Sequence, residues 1–107
     1  MHRITARAAL ISTLLSLAGC ASVDRLYMTE FEPTGANEFR YKAFANAAYK
    51  PEDPESEATR IEWLQQYLTD NNLCPNGYVI DDRKSVYNGT ILAAKTYDLI
   101  YYGHCTN

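Results

Sequence analysis

The sequence predicts an α+β fold of order β-α-β-β, with one amphipathic helix packed across a three-stranded antiparallel sheet. Three patterns carry this reading. Residues 39–49 alternate with a period of two. Residues 54–70 place apolar side chains at spacings of three and four. Asn88-Gly89 separates two β-rich runs and is a strong two-residue hairpin signal.

Ahead of these elements, residues 1–7 carry Arg3 and Arg7 and no acid. Residues 8–18 are apolar except for Ser12, Thr13 and Ser16. A positive start followed by a short apolar run is the secretory signal pattern. The run is shorter than the about 20 residues a membrane-spanning helix needs. It ends in Leu17-Ala18-Gly19-Cys20, which resembles the lipobox of bacterial lipoproteins. That resemblance implies cleavage before Cys20, a diacylglyceryl group on its thiol and often acylation of the new amine. Two or more acyl chains hold a protein stably on a bilayer where one holds it only marginally. Residue 21 is Ala, not the Asp that retains enterobacterial lipoproteins in the inner membrane. The resemblance therefore points to the outer membrane, with the chain facing the periplasm; the inner membrane and the cell surface are the alternatives.

Removal of residues 1–19 from the 107-residue chain leaves 88 residues, room for one small domain. A domain this size buries a modest share of its surface, so an added staple is expected. The same cut leaves eight basic against thirteen acidic residues, a net charge of −5. That argues against electrostatic binding to nucleic acid or to an anionic bilayer face and leaves a basic partner open.

Residues 20–37 read as the lipidated cysteine and a tether, and residues 38–107 as the domain. The tether has no clear period and contains Pro33, Thr34, Gly35 and Asn37, although Val23, Leu26, Tyr27 and Phe31 suit a short docked helix or strand. In residues 39–49, Phe39, Tyr41, Ala43, Ala45, Ala47 and Tyr49 share one face of a strand. Asp53 stands as an N-cap before Pro54, and Glu55 and Glu57 suit the positive end of a helix. Ala58, Ile61, Leu64 and Leu68 form its apolar stripe, widened by Trp63 and Tyr67. The helix should end near Asn71-Asn72, with Leu73 folding back. Cys74-Pro75-Asn76-Gly77 is a turn signal. In the last run Tyr97, Leu99 and Tyr101 share one face and Ile100 and Tyr102 the other, which reads as a central strand.

With Cys20 assigned to lipid, Cys74 and Cys105 remain as a pair, which in an oxidising envelope reads as a disulfide. Closing a loop of about 30 residues contributes roughly 3–4 kcal/mol in the chain-entropy model. A redox role needs a close pair of cysteines or an electropositive setting, and neither is visible. A turn at Asn88-Gly89 makes paired positions sum to 177, and the cysteines sum to 179, so they should face each other at the open end of the hairpin. Arg60, Trp63-Leu64, Cys74-Pro75-Asn76-Gly77-Tyr78, Arg83 and Tyr102-Gly103-His104-Cys105 are similar to a pattern in small uncharacterised lipoproteins of Gram-negative bacteria. The resemblance supports the paired cysteines and implies no activity.

No constellation for chemistry stands out. Asp81 and Asp82 are adjacent on a strand and so point to opposite faces, too few oxygens for a divalent ion. Asp98 reads either as a buried partner of Arg60 or Arg83 or as exposed. His104 has no nucleophile paired with it by motif, and one histidine with two bonded cysteines does not make a zinc site. No cofactor motif is present. Tyrosine is abundant and suits both half-buried strands and interfaces. The sequence thus points to a lipid-anchored, non-catalytic module that binds another envelope protein or serves a structural role. Tyr78, Tyr87, Tyr102 and His104 are its candidate contacts. The alternative is an acidic inhibitor of a basic, envelope-attacking enzyme such as lysozyme.

Overall fold

The computed structural model describes residues 24–107. Cys20 and the segment read as a leader lie outside the described residues. The fold is α+β, as expected, but the antiparallel sheet has four strands. In chain order these are β1 (Thr29–Gly35), β2 (Glu38–Ala45), the helix α1 (Pro54–Asp70), β3 (Tyr78–Ile91) and β4 (Ala94–Cys105). Their order across the sheet is β1-β2-β4-β3.

The extra strand comes from the segment read as tether. β1 pairs with β2 from Thr29↔Ala43 to Gly35↔Glu38, and residues 24–28 are helical. Only Thr29 and Phe31 of β1 turn toward the core; the rest is exposed, so its sequence lacks the alternation of a half-buried strand. Thr29 is held by its hydroxyl, 2.7 Å from that of Tyr67, and Phe31 stacks on the Tyr67 ring at 5.4 Å.

β2 follows its period of two: Phe39, Tyr41, Ala43 and Ala45 are buried. The strand stops at Ala45, short of the expected Tyr49, because the Asn46 side chain accepts from the backbone N–H groups of Ala48 and Tyr49 and turns the chain.

α1 begins as read. The Asp53 carboxylate accepts from the Ser56 N–H at 3.0 Å, with Pro54 in the first turn. At the other end Asn72 takes φ 55°, and Leu73 N–H returns to the Leu68 carbonyl at 2.8 Å. The buried stripe is rotated from the expected one. It runs Ser56, Arg60, Leu64, Leu68, with Trp63 beside it against Tyr49 at 5.7 Å, while Ala58 is exposed. Leu64 and Leu68 join Phe39, Tyr41, Ala43, Ala45, Leu99 and Tyr101 in one core between helix and sheet.

The hairpin turn is not at Asn88-Gly89. It lies at Leu92-Ala93, both with positive φ (51° and 67°), and Ile91 pairs with Ala94. Asn88 and Gly89 (φ 106°) form a bulge opposite Thr96, whose hydroxyl donates to the Gly89 carbonyl at 3.0 Å. Core packing overrides the local turn signal. The observed register sets Arg83 opposite Tyr101 and Tyr87 opposite Tyr97. A turn at 88–89 would have set Arg83 opposite Ala94 and dissolved those contacts.

The Cys74–Cys105 disulfide is present, with Cα atoms 4.7 Å apart. Its placement differs from the expected one. Cys105 is in register with Tyr78, and Cys74 reaches it from the preceding loop through a turn closed by Gly77 N–H to the Cys74 carbonyl at 3.1 Å. The bond therefore ties the helix exit to the end of β4.

Candidate functional site

Two regions of the described residues carry concentrated polar chemistry: a network in the seam between helix and sheet, and the sheet face that the helix leaves uncovered.

The seam network starts from Glu57, in the first turn of α1. Its carboxylate receives the Tyr101 hydroxyl at 2.7 Å, Arg60 Nη2 at 2.9 Å and Arg83 Nη2 at 3.2 Å. Arg60 and Arg83 also donate to backbone carbonyls of the loop before the helix, both reaching Pro51 and Arg60 alone reaching Lys50. Tyr41, beneath, donates its hydroxyl to the Arg60 carbonyl at 2.9 Å. Arg60 is 1% exposed. Its Nη1 finds no protein acceptor among the described residues.

The charge states follow from these contacts. Burial opposes ionisation of Glu57, but the hydrogen bonds from Tyr101 and Arg60 and the neighbouring guanidinium charges outweigh it. The carboxyl is held below its ordinary value. Burial pushes the Tyr101 hydroxyl up, and the carboxylate beside it adds to this against the hydrogen bond from Arg83. At neutral pH the network is one carboxylate, two guanidiniums and a neutral phenol. These hydrogen bonds clamp helix, loop and sheet together. An open groove of about 670 Å³ runs beside it, lined by Lys50 to Pro54, Ser85 and Tyr97.

The uncovered face is built from the even positions of β2, those of β4 from Asp98 onward, and their neighbours. Opposite charges face each other across the strands: Lys42 with Glu30 at 3.2 Å and Arg40 with Glu32 at 3.5 Å. On the far side Lys84 lies over the Tyr102 ring at 5.3 Å, and His104 Nδ1 is 2.8 Å from Asp81. Ile100 is half-buried between these pairs, and Phe44, in register with Asp98, is half-buried beyond them toward the end of the sheet.

The four candidate contacts do not form one surface. Tyr102 and His104 lie on the uncovered face. Tyr78 and Tyr87 lie on the helix side, Tyr78 edge-on to Phe39 at 5.9 Å and Tyr87 edge-on to Tyr97 at 5.9 Å. Neighbouring side chains along a strand alternate between faces, and the bulge at Asp81 shifts that alternation within β3. Asp98 pairs with neither arginine. It faces the uncovered side, where Asn88 Nδ2 donates to it at 3.3 Å. The pairing of Arg60 and Arg83 through Glu57 was not legible, because Glu57 reads locally as a residue suited to a helix N-terminus. Among the described residues no group of three His, Cys, Asp or Glu side chains converges on a point.

No helix among the described residues is long and apolar enough to cross a membrane. Compared with known proteins, the chain matches no family model, no curated protein and no solved structure.

Proposed function

We propose that this protein is a lipid-anchored envelope module, non-catalytic, that binds another protein at the outer membrane through the uncovered face of its sheet. The observation that carries the reading is a face without a covering element among the described residues, ordered by cross-strand ion pairs around Ile100 and Tyr102. Ile100 and Tyr102 give the face an apolar and aromatic centre, and the flanking charges a polar rim, the arrangement of a protein interface. The lipobox-like Leu17-Ala18-Gly19-Cys20 supplies the anchor. Tethering raises the local concentration of the face near the membrane without any new contact.

The test is site-specific photo-cross-linking in cells. A cross-linker at Tyr102 should capture one discrete partner, and that partner should be lost when Cys20→Ala removes the anchor. A cross-linker at Gln66, on the outer side of α1, should not capture it. Equal capture from both positions, or none from Tyr102, overturns the reading.

A further inference from the structure

Because residues 24–28 are helical and β1 starts at Thr29, the segment between Cys20 and the folded body is short. Four residues of chain reach at most about 14 Å from Cys20 to Asp24. If Cys20 bears lipid, the body has no room to stand away from the bilayer, and one end of it must lie against the surface.

The end nearest Asp24 carries exposed apolar side chains beside Glu30, Lys42 and Asp98. Among large hydrophobic residues in the described chain, the four most exposed are Leu92 at 97%, Tyr27 at 87%, Leu26 at 66% and Ile91 at 58%. They flank Phe44 from two sides. Leu26 and Tyr27 share one open groove with it, and Ile91 and Leu92 share another. All therefore sit at one end of the sheet, opposite the end where Cys105 and Tyr78 meet. The backbone at Leu92 adds a second observation. A fully exposed leucine is held at φ 51° at the hairpin tip, where Asn or Gly would sit without strain. Neither packing nor backbone preference accounts for Leu92, whereas an apolar surrounding would.

We infer that this end, formed by Leu26, Tyr27, Ile91 and Leu92, docks into the interfacial region of the same bilayer that holds the lipid on Cys20. The inference rests on the lipid-anchor reading. It leaves the disulfide end pointing away from the membrane and the uncovered sheet face open to a partner. Apolar side chains beside an acyl anchor enter the headgroup boundary by the same burial that seats an interfacial helix.

The test uses the full chain, purified from membranes and reconstituted into phosphatidylcholine vesicles with or without brominated acyl chains. Zwitterionic lipid removes any electrostatic attraction. In a Leu92→Trp variant the emission added to that of Trp63 should be largely lost on bromination. Two reporters should stay unchanged. One is the native Trp63, buried against Tyr49. The other is an Ala36→Trp variant, at an exposed position in the β1–β2 turn at the opposite end. Mass spectrometry of the same sample reads the acyl groups on Cys20. Acylated protein with unquenched Leu92→Trp overturns the docking alone. Absence of acyl groups overturns the anchor and the docking together. Equal quenching at Leu92→Trp and Ala36→Trp also overturns it, since no end is then selected.

Discussion

Replacing Glu57 with alanine tests the seam network most directly. The side chain is the common acceptor for Tyr101, Arg60 and Arg83. Its loss leaves the 1%-exposed Arg60 with only the Lys50 and Pro51 carbonyls. Breaking a buried pair by removing one partner costs about 3–5 kcal/mol. Because Glu57 keeps 32% exposure, screening brings the expectation to about 2–4 kcal/mol. For a domain of this size that lowers Tm by on the order of 10–30 °C, read by far-UV circular dichroism. Glu57→Gln keeps an acceptor for Tyr101 but loses the charge, so it should fall between parent and Glu57→Ala. The pH dependence has a defined sign. Glu57 ionises more readily folded than unfolded, so its contribution is complete above the ordinary value of 4.5 and is lost as pH falls through the lower folded value. The gap between parent and Glu57→Gln should therefore hold near neutrality and close in acid. A Glu57→Ala melt within about 3 °C of the parent, or a gap that widens in acid, would refute the clamp.

Removing the disulfide with Cys74→Ser and Cys105→Ser should cost roughly 3–4 kcal/mol by loop entropy, seen as a lower urea midpoint. Gly103→Ala should destabilise by about 2–3 kcal/mol in the same titration, because the new Cβ would lie 2.6 Å from the Phe39 ring and 2.7 Å from the Val79 carbonyl. Leu92→Asn with Ala93→Gly should raise stability by about 1–2 kcal/mol, since both positions carry positive φ. A calorimetric melt that shows no gain would mean the tip is unstrained.

The local features of this chain were legible where a short stretch of residues is sufficient cause. Asp53 and Pro54 start the helix, and Asn72 ends it, because caps act within one turn. Phe39, Tyr41, Ala43 and Ala45 announce a buried strand face because the period of a strand is two. From Asp98 onward the odd and even positions of β4 separate for the same reason. Cys74 and Cys105 are bonded, as their number led one to expect; their meeting across the helix exit rather than across the hairpin follows from where β3 begins.

Tertiary structure decided what depends on distant partners. β1 is a strand because an edge was free beside β2, although its own residues carry little pattern. Asn88-Gly89 became a bulge because seating Arg83 against Tyr101 and Glu57 outweighed a local turn preference. Arg60 occupies an apolar stripe because Glu57 and two loop carbonyls meet it there. The split of Tyr78 and Tyr87 from Tyr102 and His104 is of the same kind: residue type marks a side chain as fit for contact, and only the sheet decides which face presents it.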